Sequence, residues 1–349
     1  MAALTSAAIA DLIVATRKDE GDYKLTDLST DITEFYAMPV FFKRETTAKT
    51  GSSLQWNILT SHNNRAAWTG LWNSKTYAEG DALTTAGIPW RYGTTDYGFD
   101  EREAEINSGK KKVILDLIKV RRHRAMVAWA ELLETAFWTK PASSSDTTTP
   151  FGLEYYVVVN ASTGFNGGNP SGFTSGAGGL SSTSQARWAN FTAQYTNVSK
   201  ADAIRKWRTA AERTNFKPPV SVEQYASGHR FGYYTNLTVK LALEEILEDQ
   251  NENLGNDVAS KDGDVMFRKV PVKYVPFLDD ANYPGGDSQD RIYGIDWESF
   301  DLVFLEGEKM RESKPRNLSS QPRVQVVDID NAFNLVCYDR RKNFVLATA

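Results

Sequence analysis

This 349-residue sequence holds one cysteine, Cys337, and three histidines, His62, His123 and His229. A single cysteine excludes an intramolecular disulfide, and three scattered histidines cannot complete a Cys/His zinc site. Synthesis in the cytoplasm is the expectation. Long hydrophobic runs are missing too, since no stretch approaches the roughly eighteen apolar residues of a membrane-spanning helix. The opening MAALTSAAIADLIVATRKDE lacks the basic start and apolar centre of a secretory leader. No membrane partner is therefore expected, and the mature chain is expected to begin near Met1. Neither sign of charge dominates: 40 Lys and Arg stand against 44 Asp and Glu, for a net −4. Overall charge thus gives no sign of a nucleic-acid binder, and only local patches could act as one.

What is present is aromatic. Nine Trp, fifteen Tyr and seventeen Phe within 41% hydrophobic residues describe an ordered chain rather than a disordered one. The stretch from Asn107 to Thr139, NSGKKKVILDLIKVRRHRAMVAWAELLETAFWT, carries Ile114, Leu117, Ile118, Ala125, Trp129, Leu132, Leu133 and Ala136 at three- and four-residue steps. That spacing predicts one long helix with an apolar stripe, started by Ser108 as N-cap and stopped at Lys140-Pro141. Roughly thirty residues at 1.5 Å each make a rod of about 45 Å. The same helix bears Lys110, Lys111, Lys112, Lys119, Arg121, Arg122 and Arg124. Such a run is either a solvated face or a surface turned toward a polyanion, and both readings stay open.

In chain order, residues 3 to 15 have helical spacing. DEGDYKLTDLSTDITEFYAMPVFFKRE then sets Phe35, Tyr36, Phe41 and Phe42 among acidic and polar residues with no sustained period. It reads either as an extended arm lying on another surface or as an N-terminal strand and helix on the chain's own core. LQWNILT and the later IPWRYGTTDYGFDEREAEIN predict a long hairpin. Its Trp56, Trp68, Trp72 and Trp90 are too many for a two-stranded ribbon to bury alone. Eight of 24 glycines fall between Gly152 and Gly179, around PFGLEYYVVVN as an expected strand, and read as a flexible loop. Helices are predicted over 200–213 and 235–250, with PPVSVEQYA as strand and loop between them. FRKVPVKYVPFLDD and DRIYGIDWESFDLVFLEG predict two strands, and RVQVVDIDNAFNLVCYDRRKNFVLATA two more, meeting around Asp330-Asn331. The class is α+β with mostly antiparallel strands.

Chemistry is harder to find. The pairs Asp279-Asp280, Glu244-Glu245 and Asp328-Asp330, with the tryptophans, could be written into a carbohydrate-active scheme. No nucleophile signature accompanies them, and solvated surface is the better reading. GNDVASKDGD lacks the spacing and closing Glu of a calcium loop, and GFNGG and GAGGL lack the ending of a P-loop. Neither enzymatic turnover, a cofactor nor a metal is expected. Five Asn-X-Ser/Thr sequons read as chance occurrences.

Several stretches, taken in order, carry a resemblance: EREAEINSGKKKVILDLIKVR, PFGLEYYV, TSQARWANF, VPVKYVPFLDD and NLVCYDRRKNFVLAT. With the arm, hairpin and long helix, the chain resembles over nearly its whole length the major capsid proteins of tailed bacteriophages, the Hong Kong ninety-seven fold. The resemblance implies an N-terminal arm (1–50), an extended loop (51–107) and a spine helix (108–141) in a peripheral domain with strands in 265–317. Residues 142–264 and 318–349 would form an axial domain. It implies a structural protein of the virion, made in the host cytoplasm, whose hexamers and pentamers close into an icosahedral shell around double-stranded DNA. An encapsulin-like nanocompartment shell is the related alternative. Intersubunit contacts would come from Trp56, Trp68, Trp72 and Trp90 of the loop and from Phe35, Tyr36, Phe41 and Phe42 of the arm. Arg121, Arg122 and Arg124, with Lys110, Lys111 and Lys112, could face packaged DNA without regard to base sequence, or salt-bridge within the wall. No long acidic helical extension precedes the arm, so a fused scaffolding domain is not expected; scaffolding, if used, would be a separate protein, as would any portal or decoration protein. Some members cross-link through Lys and Asn; Lys75 is the candidate here, and no such bond is expected of it.

Overall fold

A computed structural model of the chain describes residues 34–49, 51–61, 68–72, 82–106, 111–216, 231–251, 265–283 and 286–349; at 104–106, 111–117, 231 and 248–251 the description is of backbone alone. The predicted helix 3–15, Ser108, PPVSVEQYA and Lys75 lie outside the described residues.

Residues 37–48 are not an extended arm. They form helix α1 (Ala37–Lys43) and strand β1 (Glu45–Ala48), packed on the chain's own core. Tyr36 offers no side-chain cap, and buried Glu134 supplies one from a distant part of the chain. Its carboxylate accepts the backbone N–H groups of Tyr36 (3.1 Å), Ala37 (3.0 Å) and Met38 (2.7 Å), placing negative charge at the helix N-terminus. Local periodicity could not announce a helix capped from ninety-odd residues away.

The hairpin forms as expected from β2 (Ser53–Leu59) and β3 (Leu83–Pro89), and the chain continues through β4 (Arg91–Asp100) into a short α2 (Glu101–Ile106). The long helix is α3 (Lys111–Trp138), 28 residues, about 42 Å at 1.5 Å per residue. It buries Ala125, Trp129, Leu133, Ala136, Phe137 and Trp138, whereas Leu132, predicted in the stripe, lies on the open side at 57% exposure. Next come α4 (Leu153–Tyr156), β5 (Gly164–Gly167), β6 (Asn190–Tyr195), α5 (Ala203–Arg213), β7 (Phe231–Thr235), α6 (Leu237–Asn251), β8 (Met266–Phe267) and β9 (Val270–Tyr274). The end of the chain adds β10 (Ile292–Asp296), β11 (Phe300–Leu305), β12 (Arg311–Glu312), β13 (Arg316–Leu318), β14 (Gln321–Cys337) and β15 (Phe344–Thr348).

Strand β14 organises one sheet of six. One edge pairs with β4 from Val324–Asp100 to Phe333–Arg91, while the other takes β13, β12 and β11 in turn, with β1 parallel beyond β11. The predicted break at Asp330-Asn331 does not occur. Asp330 stands opposite Thr94, and the Asn331 side-chain oxygen accepts the Met310 N–H at 2.6 Å, so the strand runs on through both polar residues. Helix α3 rests on β4, and Gly93 is required there, because a Cβ at that point would overlap the Trp129 ring.

The second sheet has seven strands in the order β5-β6-β15-β10-β7-β9-β8. One face carries α5 and α6, whose Trp207, Ala210, Val239 and Leu243 pack with Phe191, Tyr233, Ile292, Phe344 and Leu346. Through Tyr234, Tyr293 and Val345 the other face joins the main core of Trp138, Trp297, Phe300 and Phe333. The strands are grouped into sheets differently from the grouping the resemblance implies. Strands β8, β9 and β10, expected beside the long helix, lie in the seven-stranded sheet, and most of residues 318–337, expected in the other unit, form β14 beside α3. The turn Trp297–Ser299 splits the predicted strand over 291–307 and sends its halves to different sheets.

The glycine-rich stretch is neither a strand at PFGLEYYVVVN nor a loose loop. Gly152 sits against the carbonyls of Ala136, Phe137 and Thr139 with no room for a Cβ, and the chain then turns as α4. Arg340, fully buried, spans the rest. Its guanidinium donates to the carbonyls of Tyr156 (2.7 Å), Trp188 (2.8 Å), Gly167 (3.0 Å) and Gly168 (2.8 Å). The DRRK run gave no sign that its first arginine is an internal staple.

Candidate assembly surfaces

The hairpin is fixed at its base. At the base Leu54 and Ile88 are buried, the Gly87 N–H donates to the Gly178 carbonyl at 2.9 Å, and Ala86 packs under Leu180 and Trp188. Trp56 is half-buried between these two clusters. Trp90, expected to reach a neighbour, is instead buried in its own chain, its indole N–H donating to the Gly51 carbonyl at 2.9 Å. Toward the tip nothing among the described residues covers the apolar side chains. Trp68 and Trp72 are fully exposed, with Leu59, Leu71 and Leu83 exposed beside them in the described segments. Large apolar groups left bare together mark an association surface.

The N-terminal aromatics divide similarly. Phe41, expected at a neighbour, is fully buried in the core of its own chain, edge-on to Phe137 and Trp297 with centroids at 4.7 and 5.1 Å. Phe42 half-buries against Phe304 and Tyr36 against Tyr234, where the Lys273 ammonium lies 4.8 Å from the Tyr36 ring centroid. Phe35 is also half-buried.

Of the helix cations, Lys110 lies outside the described residues and Lys111 and Lys112 are described as backbone alone. Arg121 donates to the Gly98 carbonyl at 2.8 Å and pairs with Glu103 at 2.8 Å, tying α3 to β4 and α2. Arg122 pairs with Glu312 of β12 at 2.5 Å, and that hydrogen bond raises the guanidinium pKa. These two are bonded within the chain. Arg124 is exposed, has no partner among the described residues, and overlooks a groove shared with Arg102, Arg323, Ala125 and Ala128.

Three members of the carboxylate pairs hold the fold together. Asp279 accepts the Leu237 N–H (2.9 Å) at the start of α6 and the Tyr274 hydroxyl (2.5 Å); burial, then this carboxylate, pushes the Tyr274 phenol up to about 12. Asp280 accepts the Ser288 N–H at 2.8 Å, and Asp328 binds Arg316 at 2.6 Å. Among the described residues no group of His, Cys, Asp and Glu is placed to hold a metal ion. Burial pushes the Cys337 thiol well up, away from nucleophilic use. No described helix is long and apolar enough to cross a membrane.

No family model matches the chain, and no curated protein matches its sequence. Solved structures do. The chain is similar to the cyanophage A-1(L) capsid asymmetric unit, with TM-score 0.57 and 13% identity over 96% of this chain and 98% of that one. It is similar to the capsid of a native GTA particle, with TM-score 0.55 and 11% identity over 94% and 95% of the two chains. The mature capsid of bacteriophage PhiM1 gives TM-score 0.53 and 11% identity over 94% and 93%. At such identities the likeness is one of fold, and it runs nearly end to end.

Proposed function

We propose that this chain, which has the Hong Kong ninety-seven fold of tailed-phage capsid proteins, is a structural shell subunit, many copies of which close into an icosahedral container for double-stranded DNA. The observation that carries the reading is the end-to-end likeness to capsid structures, which leaves no part of the chain over for a separate catalytic domain. The bare Trp68, Leu71 and Trp72 support it, since a subunit isolated from its neighbours would expose the hairpin side chains it uses on them. In this reading α3 with the six-stranded sheet is the peripheral domain and the seven-stranded sheet with α5 and α6 the axial one. Hexamers and pentamers of the chain, with separate scaffolding, portal and decoration proteins, make up the virion. Arg124 is the helix cation best placed to meet DNA phosphates, while Arg121 and Arg122 brace the wall.

Expression of the chain, alone and with its scaffolding protein, followed by sedimentation and electron microscopy, tests the proposal. Closed particles of megadalton size are expected, and a folded protein that stays monomeric under both conditions would overturn it. Trp68→Ala with Trp72→Ala is expected to abolish particles while leaving subunit unfolding unchanged. Particles that load a protein cargo in place of DNA in the native host would support the encapsulin-like alternative.

A further inference from the structure

The two helices on the outer face of the seven-stranded sheet have opposite solvent faces. Helix α5 buries Ala203, Trp207, Ala210 and Ala211 and turns Arg205 and Arg208, three residues apart, outward together. With Lys200 they rim a shallow depression of about 500 Å³ that Ala201 and Thr209 complete. None of the three cations has an ion-pair partner among the described residues. Helix α6 buries Val239 and Leu243 and presents Leu237 (43% exposed), Leu241 (49% exposed) and Glu245 at steps of four, a stripe along one side. Glu245 likewise has no partner among the described residues.

The two helices are centred on different strands, although α5 reaches across the sheet, where Trp207 stacks on Phe267 of β8 and Glu212 pairs with Arg268. Helix α5 packs over β6 and β15 and α6 over β9. Strands β6 and β9 are four ladder steps apart, about 19 Å at 4.8 Å per step, nearly two helix diameters. A two-fold contact of the basic face with itself would set cation against cation. A head-to-tail contact sets the basic face of α5 in one copy on the Leu241–Glu245 face of α6 in the next, and such heterologous contacts give rings where the rotation closes. We propose that Leu241 of one copy seats in the depression on α5 of a second copy, with Glu245 beside it pairing with Arg205 and Arg208. The proposal rests on the shell-subunit reading and gives that reading a specific contact between neighbours. Second copies are favoured over a polyanion because the complementary apolar and acidic face is carried by the same chain.

Charge exchange tests it. Three variants are compared with wild type under conditions where wild type forms particles: Arg205→Glu with Arg208→Glu, Glu245→Arg, and all three substitutions together. Each reversal alone is expected to cut the assembled fraction, read by sedimentation velocity, at least about tenfold, since it opposes like charges. The triple variant is expected to recover to within about twofold of wild type. Thermal unfolding and circular dichroism of each variant separate loss of folding from loss of contact. If folded single reversals assemble normally, or if the folded triple variant does not recover, the contact is overturned. Normal empty particles that lose only their DNA after Arg205→Glu with Arg208→Glu overturn it in favour of a nucleic-acid surface. A wild type that forms no particles at all instead counts against the shell-subunit reading, which keeps the two failures distinct.

Discussion

Replacing Arg340 by Met is the perturbation whose size can be worked from the structure. Four carbonyls, of Tyr156, Gly167, Gly168 and Trp188, receive the guanidinium at 3.0 Å or less, and no carboxylate among the described residues forms an ion pair with it. Burial pulls its pKa down to about 10, still high enough to keep it charged at neutral pH. Methionine fills comparable length without a donor, so all four acceptors lose their partner. Each orphaned buried acceptor costs about 1–3 kcal/mol, or roughly 4–12 kcal/mol in sum. Removing the buried cation gives back its own desolvation cost, several kcal/mol, and the net loss expected is about 3–5 kcal/mol. Arg340→Lys is expected to fall between, because one ammonium cannot reach carbonyls on both sides of a planar fork. Urea denaturation followed by tryptophan fluorescence reads the loss as a shift of midpoint at unchanged slope. Trp188, whose ring lies 5.7 Å from the guanidinium, makes the probe local. A loss below about 1 kcal/mol, or a lysine variant equal to wild type, would refute the claim that these carbonyls depend on the fork.

Gly93→Ala forces a methyl group into the Trp129 ring and is expected to cost about 1–3 kcal/mol in the same assay; an unchanged midpoint would mean that α3 can lift off β4 freely. Cys337, buried and with its thiol pushed up, is expected to resist maleimide in the native protein and react fully in denaturant, so rapid native labelling would contradict its placement. Burial raises the pKa of Asp339 above its unfolded value against opposing pulls from the Arg341 N–H and Lys342. The folded state then binds the extra proton, so this residue's contribution is complete below about pH 4 and is lost as pH rises through the folded pKa. Asp339→Asn, which keeps an oxygen for the Arg341 N–H, is expected to raise the melting temperature more at neutral pH than below about pH 4; the reverse order would show the carboxylate stabilised by its cations.

Periodicity carried the elements whose stability is decided locally or by one flat partner. The long helix, the hairpin and the amphipathic helices α5 and α6 were legible because an apolar stripe or alternation betrays the face that must be covered. Legibility failed where a distant group decides. Glu134 caps α1 across the fold, Gly152 is fixed by three carbonyls at the end of α3, and Met310 donates its N–H to the Asn331 side-chain oxygen inside β14. Counting tryptophans correctly signalled surplus aromatic surface, but composition cannot say which are used at home. Trp90 and Phe41 went to the chain's own core, while Trp68 and Trp72 stayed bare. Arginines stayed open for the same reason: Arg121 could face DNA or salt-bridge, and both it and Arg340 are held by carbonyls or a carboxylate contributed from elsewhere.

The antiparallel ladder between β4 and β14 has a mechanical meaning. Ten residues of β4 lie in register with β14, directly downstream of β3 and the hairpin. A pull on the hairpin along its length reaches β4 as tension parallel to the strand. Antiparallel hydrogen bonds stand perpendicular to that direction, so the rungs resist sliding together instead of parting one by one. Since the other edge of β14 is bonded to β11, the strain passes across the subunit into the strand that also holds β1. Through this lap joint, stress applied at an outlying ribbon is shared across the whole width of the sheet.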